Sequence, residues 1–169
     1  MKVRVLIILL IFFTGCADRN YPSYEIDGVK LKIKAYEKAM KDKSQVEALS
    51  FQSMNLEELP NDLEEFKNLR YLNLRDNNLK TLPRCITTFS NLYALFIDRN
   101  PIKELPNHIV ELKNLKVLTI NGTQIQRLPD GFYDIKLKVL LIGGSKLDGF
   151  QRQEVMEKMK ETKVVNSVD

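Results

Sequence analysis

The sequence predicts an α/β fold of coiled, stacked turns, each contributing one short strand to a parallel sheet. Three observations predict it. Five self-similar units follow one another, apolar residues recur inside each at fixed but uneven spacings, and proline occupies the same place in four of them. The units read VEALSFQSMNLEELPNDLEEFKN from Val46, LRYLNLRDNNLKTLPRCITTFSN from Leu69, LYALFIDRNPIKELPNHIVELKN from Leu92, LKVLTINGTQIQRLPDGFYDIK from Leu115 and LKVLLIGGSKLDGF from Leu137. The first three have 23 residues, the fourth 22, and the fifth stops after 14.

Apolar residues hold positions 1, 4, 6, 11, 14, 18 and 21 of the unit, and proline holds position 15 as Pro60, Pro83, Pro106 and Pro129. In the second unit Leu72, Leu74, Leu79 and Leu82 are two, five and three residues apart. A helix face repeats every three or four residues and a strand face every two, so neither alone explains the steps. A coil does. Each turn points positions 4, 6, 11 and 14 inward, where no single turn can bury them, and stacking makes the core continuous at roughly 1.5–3 kcal/mol per apolar side chain. Positions 3 to 7 form the strand, pairing in parallel with the next turn about 4.8 Å away.

This pattern resembles the leucine-rich repeat family, L-x-x-L-x-L-x-x-N-x-L-x-x-L-P, in the 23-residue form found in bacterial lipoproteins and Ras-associated eukaryotic proteins. The resemblance covers residues 46–150, divided as 46–68, 69–91, 92–114, 115–136 and 137–150. It implies a short horseshoe with the sheet on its concave face, and a non-enzymatic module that binds a protein or peptide there. Position 9 normally holds an asparagine that satisfies backbone groups in the turn. Here it is Asn77 and Asn100 in the middle, but Met54, Thr123 and Ser145 elsewhere, which predicts weaker order toward the C-terminal end.

Open solenoid ends need caps. Residues 34–45 (KAYEKAMKDKSQ) read as an N-terminal cap helix, with a hairpin signalled ahead of it by Asp27-Gly28 between alternating residues. Residues 151–169 form the C-terminal cap. FQRQEVMEKMKE is expected to be a helix with Phe150, Val155, Met156 and Met159 on one face, and Lys163 to Val165 a last strand. Both ends are therefore expected to be closed, and a monomer is expected.

The N-terminus reads as an address. In MKVRVLIILLIFFTGC, Lys2 and Arg4 precede an apolar run too short to span a bilayer, which suits the core of a secretory signal over residues 1–15. The ending FTGC resembles a bacterial lipobox and implies a diacylglycerol, with further acyl chains, on Cys16 at the head of a tether over 16–33. Such an anchor is effectively permanent. Ala17 follows it, and the resemblance favours the outer membrane of the bacterial envelope.

Composition narrows the partners. With 44% hydrophobic and 28% charged residues the chain suits one globular domain. Removing residues 1–15 leaves 24 basic and 22 acidic residues, mixed along the chain without aromatic interleaving, which argues against nucleic acid. With Cys16 lipidated, Cys85 has no disulfide partner, and with His108 the lone histidine no metal or cofactor set is expected. IGGSK (142–146) lacks the spacing of a phosphate loop. Asp62, Cys85 and His108 share position 17, and such a column could activate a thiolate. The plainer reading is a solvated convex column, and no catalytic residue is assigned.

Candidate binding residues come from the outward strand positions 3, 5, 7 and 8. They are Tyr71, Asn73, Arg75, Phe96, Asp98, Arg99, Val117, Thr119, Asn121 and Leu141. Tyr71, Phe96, Val117, Val139 and Leu141 make an apolar patch of the kind that marks partner sites. Arg75 with Asp98, and Asp76 with Arg99, also suit plain cross-strand pairing. Gly143 and Gly144 would leave the far end bare for a partner's backbone. The competing reading is a structural envelope protein packed into a larger assembly.

Overall fold

The structure, a computed structural model, describes residues 43–166, the side chains of 61 and 62 apart, and before them the strands at 7–8, 24–26 and 29–31. The strands are β1 (Ile7–Ile8), β2 (Tyr24–Ile26), β3 (Val29–Leu31), β4 (Ala48–Ser50), β5 (Tyr71–Asn73), β6 (Ala94–Phe96), β7 (Val117–Thr119), β8 (Val139–Leu141) and β9 (Lys163–Val165). One sheet runs β1-β4-β5-β6-β7-β8-β9 with every neighbour parallel. β2 and β3 pair antiparallel, Ile26 opposite Val29. Cys16, the tether and most of the signal and cap-helix expectations lie outside the described residues. Of the expected cap helix, Lys43–Gln45 is described, as a 3-10 turn.

The register follows the repeat. Ala48, Tyr71, Ala94, Val117 and Val139 stand side by side at position 3, as do Ser50, Asn73, Phe96, Thr119 and Leu141 at position 5. Positions 4 and 6 point into the coil and are buried in every turn, from Leu49 and Phe51 to Leu140 and Ile142. Leu56 and Leu59, at positions 11 and 14 of the first turn, are less covered than their counterparts in the second, third and fourth turns.

Each proline starts the return path. Its ring fixes φ near −65°, and it needs no N–H where the chain turns away from the sheet. The carbonyls of Pro60, Pro83, Pro106 and Pro129 accept from the amides of Leu63, Ile86, Ile109 and Phe132. These bonds open 3-10 turns at Asn61–Glu65, Arg84–Thr88, Asn107–Glu111 and Phe132–Asp134. The fourth turn is two residues shorter and enters through Gly131 at φ 77°, which absorbs the residue missing from that unit.

The C-terminal cap is helix α1 (Gly149–Lys158), started by Asp148, whose side chain accepts from the Gln151 amide. Val155 and Met159 are buried against the last turn, as expected. Phe150 and Met156 are not, at 69% and 58% exposed. At about 100° per residue Phe150 lies opposite Met159, so the four could not share one face. Lys163–Val165 is the final strand, as the sequence indicated.

Candidate partner-binding face

The concave columns sort into polar residues that bond within the chain and apolar ones that are partly open. Asp98, at position 7, is 1% exposed. Its carboxylate takes an ion pair from Arg75, a hydrogen bond from the Thr119 hydroxyl, and a third from the Asn121 amide at 2.8 Å. Asn121 Oδ1 in turn accepts from the Gly143 amide at 2.7 Å. At Asp98 and Asn121, position 7 thus caps the backbone of the following turn. Asn73 is equally engaged, donating to Gln52 Oε1 and accepting from the Arg75 amide, both at 3.1 Å.

Position 8 has a backbone role. Ser53, Asp76, Arg99, Gly122 and Gly144 all have φ between 51° and 63°. That left-handed geometry is easy for glycine and costs other residues on the order of 1 kcal/mol. Gly144 is therefore explained by the turn rather than by a need for bare surface. Where arginine occupies the position, Arg99 bonds Asp76 on the preceding turn, with Nη2 to Oδ2 at 2.8 Å. The Arg99 bond holds the Asp76 carboxyl below its usual range, Gln52 adds to this, and burial opposes it. The cross-strand reading of both charge pairs holds.

Tyr71 is buried at 5% exposure. Ala48 and Ala94 flank it in register, and these small neighbours leave room for the ring to lie along the sheet, 6.0 Å from the Tyr93 ring. Thr119 is buried too. What stays partly open is Phe96, Val117, Val139 and Leu141, half-buried on the adjacent strands β6, β7 and β8. Arg75 lies over the Phe96 ring at 4.6 Å and Arg99 is exposed beside it. The structure brings these apolar residues together and takes Asn73, Asp98 and Thr119 into its own bonding.

The convex column does not assemble a nucleophile. Burial, with Glu64 nearby, pushes the Cys85 thiol up, the reverse of an activated thiolate. Among the described residues no hydrogen bond joins Cys85 to His108, whose Nε2 is buried without a partner. Asp62's side chain lies outside them. No group of three or more His, Cys, Asp or Glu among the described residues could hold a metal. No described helix is long and apolar enough to cross a membrane.

The chain matches the family Leucine Rich Repeat over residues 68–89. It is also similar to the solved structure of an LRR protein of Leptospira interrogans, with a TM-score of 0.62 and 20% identity. That match covers 72% of this chain and 31% of the other, so the chain spans about a third of that protein's length. The fold is a leucine-rich repeat solenoid. The curated proteins offer no match to the sequence. Leucine-rich repeat solenoids are characteristically protein-interaction scaffolds, because stacked turns create one extended concave surface.

Two features of this leucine-rich repeat coil escaped sequence reasoning. Asn68 and Asn114, at position 23, donate to Ser44 O and Ser90 O at 2.7 and 2.8 Å, a second amide column outside the core. Asparagine at the end of the first three units was its signal. Arg152 reaches from α1 into the last turn, donating to Leu147 O at 3.0 Å and Ser145 O at 2.8 Å. Nothing in the repeat pattern marks it.

Proposed function

We propose that this chain is a protein-binding module, anchored in the bacterial envelope by lipid on Cys16, that receives a protein or peptide on its concave face. The observation that carries the reading is the half-open apolar strip of Phe96, Val117, Val139 and Leu141 on β6 to β8. Around it the short polar side chains bond to one another, so a partner meets apolar surface with Arg99 and Asn121 at its rim. The lipobox resemblance supports the anchor and favours the outer membrane. With residues 1–15 removed, β1 leaves the sheet and β4 becomes its edge. The balanced charge speaks for a protein partner rather than nucleic acid.

A second reading, a structural envelope protein, is favoured by Phe150 and Met156, which stand exposed on α1 at the end of the coil. In-cell photocrosslinking from positions 96 and 150, with exposed Arg84 on the convex 3-10 turn as control, separates the two. Capture of a defined protein at 96 alone supports the concave module. Capture at 150 alone supports packing into an assembly and counts against it. With the partner in hand, Phe96→Glu should weaken binding at least tenfold and move unfolding by less than about 1 kcal/mol, since a half-open ring beside a guanidinium contributes little to the core.

A further inference from the structure

Away from the concave strip, a groove of about 550 Å³ opens where the last turns meet the end of α1. Lys116, Lys136, Lys138, Lys158 and Lys160 line it, against one carboxylate, Glu161. Repeat position 2 supplies Lys116 and Lys138, the short fourth turn supplies Lys136, and the chain leaving α1 supplies Lys160. Buried Ile135, Leu137 and Met159 make its apolar floor.

The lysines differ in their commitments. Lys116 Nζ donates to the Lys136 carbonyl at 3.0 Å. Lys158 pairs with Glu154 and lies over the Tyr133 ring at 4.6 Å. Lys138 Nζ lies over the Tyr93 ring at 5.9 Å, and Lys136, Lys138 and Lys160 are exposed with no carboxylate among the described residues paired to them. Five lysines against one carboxylate along a concave apolar floor raise the local positive potential, which favours an anion there.

We propose that this groove binds a phosphate-bearing ligand whose anionic group lies among Lys136, Lys138 and Lys160 and whose carbon body rests on Ile135, Leu137 and Met159. Compact ammonium point charges suit a dense dianion such as a phosphomonoester, and the site offers no arginine fork for a planar carboxylate. Its volume lies within the range of small-molecule sites and exceeds what inorganic phosphate alone would fill. The phosphate can belong to a soluble metabolite or to a lipid headgroup.

Two probes distinguish the sources: glycerol 3-phosphate by calorimetry, and sedimentation with phosphatidylcholine vesicles with or without phosphatidic acid, each on the full chain. Saturable binding of glycerol 3-phosphate supports a soluble ligand, and binding only to the phosphatidic acid vesicles supports a headgroup. Either should fall at least tenfold in Lys136→Glu/Lys138→Glu/Lys160→Glu. It should persist in Lys67→Glu/Lys80→Glu/Lys103→Glu, which changes net charge equally elsewhere on the coil. Should the first variant misfold, amide NMR shifts in the unaltered chain must centre on residues 135–138 and 158–162 with whichever probe binds. Binding of neither probe, an equal loss in both variants, or shifts centred elsewhere overturns the proposal.

Discussion

In the middle of the coil, inward backbone groups are held by asparagine amides, whereas toward the C-terminus they are held by hydroxyls and one arginine. Asn77 accepts from the amides of Met54 and Leu56 and donates to the carbonyls of Phe51, Leu74 and Arg75. Asn100 repeats this, bonding Leu79 N and Leu74 O of the turn before it and Ile97 O and Asp98 O of its own. Each amide ties two turns together. Thr123 and Ser145 instead donate once each, to Ile120 O and Ile142 O within their own turns. At the end Arg152 restores cross-linking by bringing the cap helix to Ser145 and Leu147. The expected C-terminal weakness therefore narrows to the Thr123 turn, which has neither device.

The largest effect should come from Asn77→Ala, which strands buried carbonyls and amides on two turns at about 1–3 kcal/mol for each group left unpaired. A loss of about 3–5 kcal/mol in urea unfolding is expected. Arg152→Ala should cost about 2–3 kcal/mol by the same measurement and release α1, because its guanidinium is bonded to carbonyls of the last turn. Thr123→Ala should cost about 1 kcal/mol, since one bond within its own turn is lost. A Thr123 effect equal to that of Asn77 would break the comparison.

The smallest effect is in pH. Asp76 is held below its usual pKa by Arg99, so its contribution is present above the unfolded value near 4 and fades as pH falls through the lower folded value. The pair is partly exposed, so screening limits it to a few tenths of a kcal/mol. Acid unfolding of Asp76→Asn should show a slightly shallower loss of stability below pH 4 than the unaltered chain.

The stacking of the turns was legible because burial at positions 4, 6, 11 and 14 repeats often enough to define a period, and proline marks each return. The site was only partly legible. Alternation assigns Tyr71, Asp98 and Thr119 to the outer side of the strands, and the repeat sets alanines on either side of Tyr71, but sequence does not show that the ring is buried there, or that Asp98 meets Arg75, Thr119 and Asn121 at once. Such side chains face outward and are still consumed. Phe150 was misassigned for a simpler reason: its angle around the helix opposes Met159, although both are apolar.

Native-state hydrogen exchange on Asn77→Ala and Arg152→Ala tests most directly whether two different devices hold the two regions. The amides of Met54 and Leu56, which donate to Asn77, should lose protection in the first variant, and those of Ile142 and Ser145 in the second, with the other region unchanged in each. Uniform loss of protection along the whole coil in both variants would contradict this account, showing that the solenoid opens as one unit whichever bond is cut.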